Sequence, residues 1–315
     1  MWLFAGWPYS FPMADLTTSP DAFTEKPVSN ENARWRVIWR NAFPFIVVGL
    51  IWEAVARAGV FPAKLFPTIE TIAAAFWRLT MNGILLHHAF DTIWRLLAGF
   101  ALSAIGGVAI GILMGRLRRA EDICLPLVSM LAPIPGIAWA PLFLLWFGLG
   151  NRPAILLVGF VSLFPIIFNT WTGVKAVKEI WVRSAQAMGA DDRRLFVNVI
   201  VPGALPYILT GLRLGLAQAW RTLVGVEMLA SVPWGLGWMI FGAREFLNTD
   251  VMLSGVFVIG VLGLLLEKLV FQKLLTSSLI LQNKRFMITK FKRLRMIVSL
   301  KRTKSNVKNA LIKSL

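Results

Sequence analysis

"VRSAQAMGADDRRLFVNVIVPGALP", Val182–Pro206, places five charged residues in the middle of a chain that is otherwise strongly apolar. From Lys175 to Arg194 the spacing is helical, with a break at the Gly-Ala-Asp-Asp of residues 189–192. Asp191 or Asp192 can cap a helix that starts near Arg193, setting negative charge at its positive N-terminal end. Gly189 suits a tight turn or a close approach of two backbones. Phe196, Val199 and Ile200 form an apolar face, and Pro202 and Pro206 are expected to end this second helix. The block is therefore predicted to be a folded helix–turn–helix elbow. An ordinary solvated loop would need neither the caps nor the apolar face.

Composition says what surrounds the elbow. The 315 residues are 57% hydrophobic and only 16% charged, with a mean hydropathy of +0.67. A globular protein of this length carries more charge, so the class is polytopic membrane protein. Fourteen tryptophans fit the enrichment of indole rings at bilayer interfaces. The single cysteine, Cys124, excludes an internal disulfide and a cysteine-cluster metal site. The net charge of +17 is uneven: 13 Lys or Arg and no acid follow Glu267, leaving +4 for residues 1–267. A nucleic-acid partner is not indicated. The apolar N-terminus lacks the basic region of a signal peptide, and Met13 is an alternative start.

Spans of about 20 apolar residues are expected near Asn41–Ala58, Ile93–Met114, Ile123–Phe147, Pro153–Trp171, Tyr207–Ala230 and Val251–Phe271. Lys and Arg cluster before the first, after the second, between the fourth and fifth, and after the sixth. The positive-inside rule then puts both termini and the elbow in the cytoplasm. Between spans one and two, Phe66–Leu96 is too polar to cross in full and reads as an outer amphipathic helix leading into span two. His87 and His88 point to different sides of a helix and read as interfacial polar residues rather than metal ligands.

Three features lie within the expected spans. Pro133, Pro135 and Gly136 are expected to bend span three beside an aqueous path, since proline frees backbone carbonyls that protein or water must satisfy. Span five carries Arg213, Trp220 and Glu227 at seven-residue spacing, near one helix face, together with Arg221. Arg213 is close enough to the cytoplasmic end to snorkel. Arg221 and Glu227 either line the path or form polar contacts between spans. Span two is dense in small residues (Gly99, Ala101, Ser103, Ala104, Gly106, Gly107, Gly111 and Gly115), which allow close helix packing.

The elbow resembles the cytoplasmic EAA loop of ABC importer permeases, whose pattern is Glu-Ala-Ala, three residues, Gly, nine residues, then Ile-x-Leu-Pro. Arg183, Ser184 and Ala185 occupy the first three positions, Gly189 the glycine, and Val199 to Pro202 the last four. Arg183 replaces the family glutamate. "APIPGIAWAPLFLLWFGLG" (Ala132–Gly150), "FPIIFNTWTGV" (Phe164–Val174), "LPYILTGLRLGLAQAWRTLVGVEML" (Leu205–Leu229) and "GLGWMI" (Gly235–Ile240) are similar to the sulfonate, taurine and nitrate branch.

The resemblance implies an all-α permease of the MetI-like, type I importer fold with about six transmembrane helices, in a bacterial cytoplasmic (inner) membrane. It divides the chain into a cytoplasmic segment 1–40, a transmembrane domain 41–271 with the loop at 175–206, and a basic tail 272–315. It implies a second permease subunit, expected as a homodimer, with two cytoplasmic ABC ATPase subunits and an extracytoplasmic solute-binding protein. Contacts with the ATPase would fall on Arg183, Ser184, Ala185, Ala187, Gly189, Ala190, Asp191, Asp192, Arg193, Arg194, Leu195 and Pro202.

No Gly-Lys pair occurs, so the chain has no phosphate-cradling loop. ATP and Mg would be bound by the partner ATPases, and no cofactor is expected on this chain. The function expected is a permease for a small anion such as a sulfonate, taurine or nitrate. Alternatives are a different solute, such as a cationic pyrimidine precursor, or a passive channel. A membrane enzyme would need a convergent nucleophile or metal constellation, and none is visible in the sequence. The tail is either a basic amphipathic extension held at the inner leaflet or an aberrant C-terminus.

Overall fold

The computed structural model describes residues 31–230 and 232–268, and these contain helices and no strand. The N-terminal stretch, including Met13, and the basic tail lie outside the described residues. The chain divides into two compact units, residues up to Ala58 and those beyond. The first unit contributes α1, Glu31–Arg57, a helix that runs through Pro44 and pairs Arg57 with Glu53 at 2.5 Å. It begins ten residues before the expected 40/41 boundary.

The second unit is built on three long helices: α3 (Ile84–Arg116), α6 (Asn151–Lys175) and α9 (Val201–Leu229). α6 lies between the other two and is the most buried of the long apolar helices. Its packing on α3 follows from small residues four apart. A Cβ on Gly107 would come 2.8 Å from Ile166 Cγ2, and one on Gly111 would come 2.6 Å from Thr170 Cβ. At the same period Ser103 accepts from Ser162 Oγ at 2.8 Å. In lipid, apolar surfaces gain little by meeting each other, so close backbone approach and polar contacts hold helices together. Ile166 also fits against Gly211 and Gly215 of α9, so this one residue of α6 meets both neighbouring helices.

A second layer covers one end of these helices. It comprises α2 (Ile69–Met81), α10 (Leu236–Glu245) and α11 (Thr249–Leu266), joined through Leu79, Leu85, Leu236 and Met239. Thr68 caps α2 by accepting from Thr71 N, and the helix is amphipathic, as expected for the segment before span two. Between α3 and α6 run α4 (Arg118–Leu131), a single 3-10 turn at Gly136–Trp139, and α5 (Ala140–Phe147). The two halves of this stretch meet at 97°, with Pro133 and Pro135 at the corner.

Among the described residues four helical runs are long and apolar enough to cross a membrane, and the bent pair makes a fifth if counted as one. Six spans are expected from the sequence. The remaining one is covered by α1, which is helical over residues 41–57 but is not one of those runs.

A second difference concerns the prolines. α8 (Asp192–Leu195), a π turn (Phe196–Ile200) and α9 form one run, Asp192–Leu229, so Pro202 and Pro206 do not end the helix. The π turn widens the coil just ahead of Pro202, and Pro202 then sits in the first turn of α9, where a missing N–H costs little. Pro206 lies a turn further on, and its own carbonyl accepts from Thr210 Oγ1 at 2.9 Å.

Candidate functional site

The elbow is α7 (Glu179–Ala187) followed by α8. α7 ends in a Schellman turn: Gly189 N donates to Gln186 O at 2.9 Å and Ala190 N to Ala185 O at 3.0 Å. Gly189 has φ +80° and nothing within 4 Å of a Cβ placed there. Of the two roles expected for Gly189, it fills the turn and not the close approach. Asp191 is the cap, its Oδ1 accepting from Arg194 N at 3.1 Å. Ala185 and Leu195, one on each arm, are the elbow's buried residues. Among its exposed charged residues its outer surface also carries apolar side chains, with Ile180, Trp181 and Val197 exposed and Met188 81% exposed.

The charges of the elbow are largely used internally. Arg183 donates twice to Glu179 Oε1, at 2.6 and 3.0 Å, one helical turn away. Arg194 Nε lies 3.6 Å from Asp191. Ser184, Ala187, Ala190, Asp192 and Arg193 face outward to different degrees. The elbow is tied to the bundle where the Arg116 guanidinium, in the last turn of α3, lies 4.8 Å from the Phe196 ring centroid.

The residues expected along a path do not form one lining. Pro133 and Pro135 are exposed at the bend, whereas Gly136 is buried against α9, where a Cβ would come 2.6 Å from Thr222 Oγ1. Arg213 pairs with Glu267, which follows α11, and Trp220 packs on Gly263 of α11. Glu227 faces α3 and α10. The seven-residue spacing does select one side of α9, which is exposed at Arg213, partly covered at Trp220 and fully buried at Glu227. Arg221 lies away from it, exposed, donating to Gln218 Oε1 at 3.0 Å.

Glu227 is the centre of a buried polar knot at the end of the bundle opposite the elbow. Its carboxylate accepts from Arg95 Nη1 at 2.8 Å, Thr92 Oγ1 at 3.0 Å and Gly237 N at 3.0 Å. Thr92 Oγ1 in turn accepts from Leu236 N at 2.9 Å. His88 Nδ1 lies 2.9 Å from Gly235 N and 2.8 Å from Gly235 O, so one tautomer accepts from the amide and the other donates to the carbonyl. Arg95 Nε donates to Asn151 Oδ1 at 2.8 Å, which brings in the first residue of α6. Its Nη2 has no hydrogen-bond partner and lies 3.5 Å from Asp91 Oδ2. The knot meets the requirement that a charge at membrane depth be paired and hydrogen-bonded.

The sequence singles out Glu227 but not Arg95, Thr92 or Asn151. His88, Thr92 and Arg95 fall at i, i+4 and i+7, one face of α3, and that spacing is the available signal. It is masked by an expected start of span two at Ile93, which leaves His88 in an interfacial stretch.

Residues 107–275 match the family of binding-protein-dependent transport system inner membrane components. The chain belongs to that family. It is 38% identical over 222 residues to the taurine transport system permease protein TauC of Escherichia coli K12, covering 69% of this chain and 80% of that one. SsuC of Bacillus subtilis, by name an aliphatic sulfonates transport permease, is 35% identical over 255 residues, or 80% and 90% of the two chains. The bicarbonate transport system permease protein CmpB of Synechocystis is 28% identical over 227 residues, or 70% and 81%. An inward-facing structure of the MetNI methionine ABC transporter superposes with a TM-score of 0.55 at 16% identity, covering 63% of this chain and 98% of that one, which establishes the MetI-type fold.

The protein is a multi-pass membrane permease subunit of an ABC importer. It is a non-catalytic subunit, and ATP hydrolysis belongs to a separate one. The family implies ATPase and solute-binding partners.

Proposed function

We propose that two copies of this chain form a path for a small oxyanion such as a sulfonate, taurine, nitrate or bicarbonate. An ATPase docked on each elbow drives the path open and shut, with the elbow and both termini on the cytoplasmic side. The observation that carries the docking is the elbow itself. An apolar surface of Ile180, Trp181 and Met188 is held on a capped turn, within a segment whose spacing resembles the EAA loop. Closure of the ATPase dimer would move α7 and α8 as a rigid body. Because α8 continues into α9 through the π turn, the motion would enter a transmembrane helix without crossing a flexible joint. The contacting residues are the exposed ones between Ile180 and Arg194, held over the buried Ala185 and Leu195.

Three relatives named for taurine, aliphatic sulfonates and bicarbonate support an anionic solute. Arg221 is exposed on α9 beside Thr222, which meets the Gly136 bend. This is the position where an unpaired cation would serve an anion passing between two subunits.

The test is uptake by proteoliposomes holding the permease, its ATPase and its binding protein, with taurine, an alkanesulfonate, nitrate, bicarbonate and a cationic pyrimidine offered separately. ATP-dependent uptake of one of the anions is expected. Uptake of the pyrimidine alone would overturn the solute assignment, and solute flux without the ATPase would overturn the docking.

A further inference from the structure

Helix α10 is held at its N-terminus by other helices. Gly235, at its N-cap, supplies no side-chain bond, and the amides of residues 235, 236 and 237 are left for other partners. Gly235 N meets His88, Leu236 N meets Thr92, and Gly237 N meets Glu227. All three partners come from α3 or α9. The approach is close: a Cβ on Gly235 would come 2.7 Å from Glu227 Cδ.

α10 also rests on α11 and α2, through Leu236 and Met239 clustered with Leu79 of α2 and with Val258, Ile259 and Leu262 of α11, and Leu85 of α3 joins the same cluster. It therefore stands between α2 and α11 on one side and α3 and α9 on the other, two groups that also meet directly at Arg213–Glu267, and the hydrogen bonds of its N-terminal amides go to the second group. Apolar contacts can be exchanged for lipid tails at little cost. Three backbone amides and a carboxylate cannot be separated in a bilayer without new partners. When the two groups move relative to one another, the polar knot decides which of them α10 follows.

The helices that carry the knot also reach the elbow. α9 is continuous with Asp192, and the run of 38 residues spans about 57 Å at 1.5 Å per residue. α3 has Thr92 and Arg95 near one end and Arg116, against Phe196, at the other. We propose that Glu227, with Thr92 and His88, is a positioning centre that binds α10 to the α3–α9 body, so that motion delivered at the elbow reaches the opposite mouth of the path. Arg95 is its counter-charge, and Asn151 extends the same body to α6. This inference rests on the reading that an ATPase drives the elbow.

The experiment uses the complete importer in proteoliposomes, with Glu227→Gln, Glu227→Asp and Thr92→Val each measured against the unaltered complex. Glu227→Gln keeps the shape and removes the charge opposite Arg95. Thr92→Val removes one hydroxyl and no charge. The expected result is normal co-purification with the ATPase and normal basal hydrolysis, with uptake per assembled complex reduced about tenfold or more in Glu227→Gln and Thr92→Val. The ATP consumed per solute should rise accordingly, and Glu227→Asp should restore part of the uptake. Uptake that falls only in proportion to the complex assembled would overturn the proposal, as would unchanged uptake per complex. If Glu227→Gln does not assemble, Thr92→Val decides by the same criteria. Failure of the underlying reading is distinguishable, since the unaltered chain would then not co-purify with the ATPase at all.

Discussion

Arg95 Nη1 and Glu227 Oε1 meet at 2.8 Å, joining α3 to α9 between side chains that are 1% and 0% exposed. Two buried charges hold a favourable geometry together, and each is costly without the other. Glu227→Ala leaves Arg95 with Asp91, 3.5 Å from Nη2, as its remaining counter-charge and Nη1 without its acceptor, and is expected to destabilise the folded protein by up to about 3–5 kcal/mol. The double change Arg95→Met with Glu227→Met removes both charges and should cost clearly less than Glu227→Ala alone. Thermal unfolding of the detergent-solubilised permease ranks the variants. A double variant no more stable than Glu227→Ala would show that the pair itself is not the source of the loss.

Two adjacent glycines on α3 give a test of the seam with α6. A Cβ on Gly107 would come 2.8 Å from Ile166 Cγ2 and 2.9 Å from Ile166 Cβ, whereas one on Gly106 would meet only Leu163 Cδ2, at 3.5 Å. Gly107→Ala must push α6 away and should cost about 1–3 kcal/mol. Gly106→Ala makes an ordinary contact and should change stability by no more than about 0.5 kcal/mol. Equal melting temperatures for the two would be inconsistent with the seam described.

The elbow was legible in the sequence because its determinants are local. A cap and a glycine with positive φ act within a few residues, and Asp191 and Gly189 fill those positions; the expected apolar face of Phe196, Val199 and Ile200 is half-buried, and the fully buried residue of that arm is Leu195. The helix seam was legible too, since small residues repeat every four positions along span two. The run through Pro202 was not. Pro202 reads as a stop because it lacks an N–H and its ring crowds an ordinary helical turn; here a π turn precedes it, and no residue type marks a π turn. The knot was half legible. A carboxylate in an apolar span signals a partner, but the partner lies 132 residues away in sequence. Single-sequence periodicity says which residues share a helix face and not which helix that face meets.

Gly189 separates backbone strain from crowding. A Cβ placed on it would have nothing within 4 Å, and its φ is +80°, so the constraint in this chain is conformational. A non-glycine residue there costs about 1–2 kcal/mol, and asparagine tolerates the left-handed region best. Retention of the ATPase on purification is expected to fall in the order Gly, Asn, Ala, Val. Transport by the Val variant at the level of the unaltered protein would show that the turn is not needed for coupling.

Arg183 is the position where the elbow departs from the pattern it resembles, and its partner Glu179 lies on the same helix face. Both side chains are largely exposed, so the pair contributes about 0.3–0.5 kcal/mol and is screened by salt. Arg183→Glu places two like charges four residues apart and removes that small stabilisation. The fold of the elbow should survive, because its turn depends on Gly189 and Asp191. Any larger effect must come from the docked partner, whose surface would have been matched to a cation here. Weaker retention of the ATPase at low ionic strength is therefore expected. The difference from the unaltered protein should shrink near 1 M salt, where the Debye length is about 3 Å. Tighter retention of the Glu variant at low salt would show instead that the partner surface still matches the family glutamate.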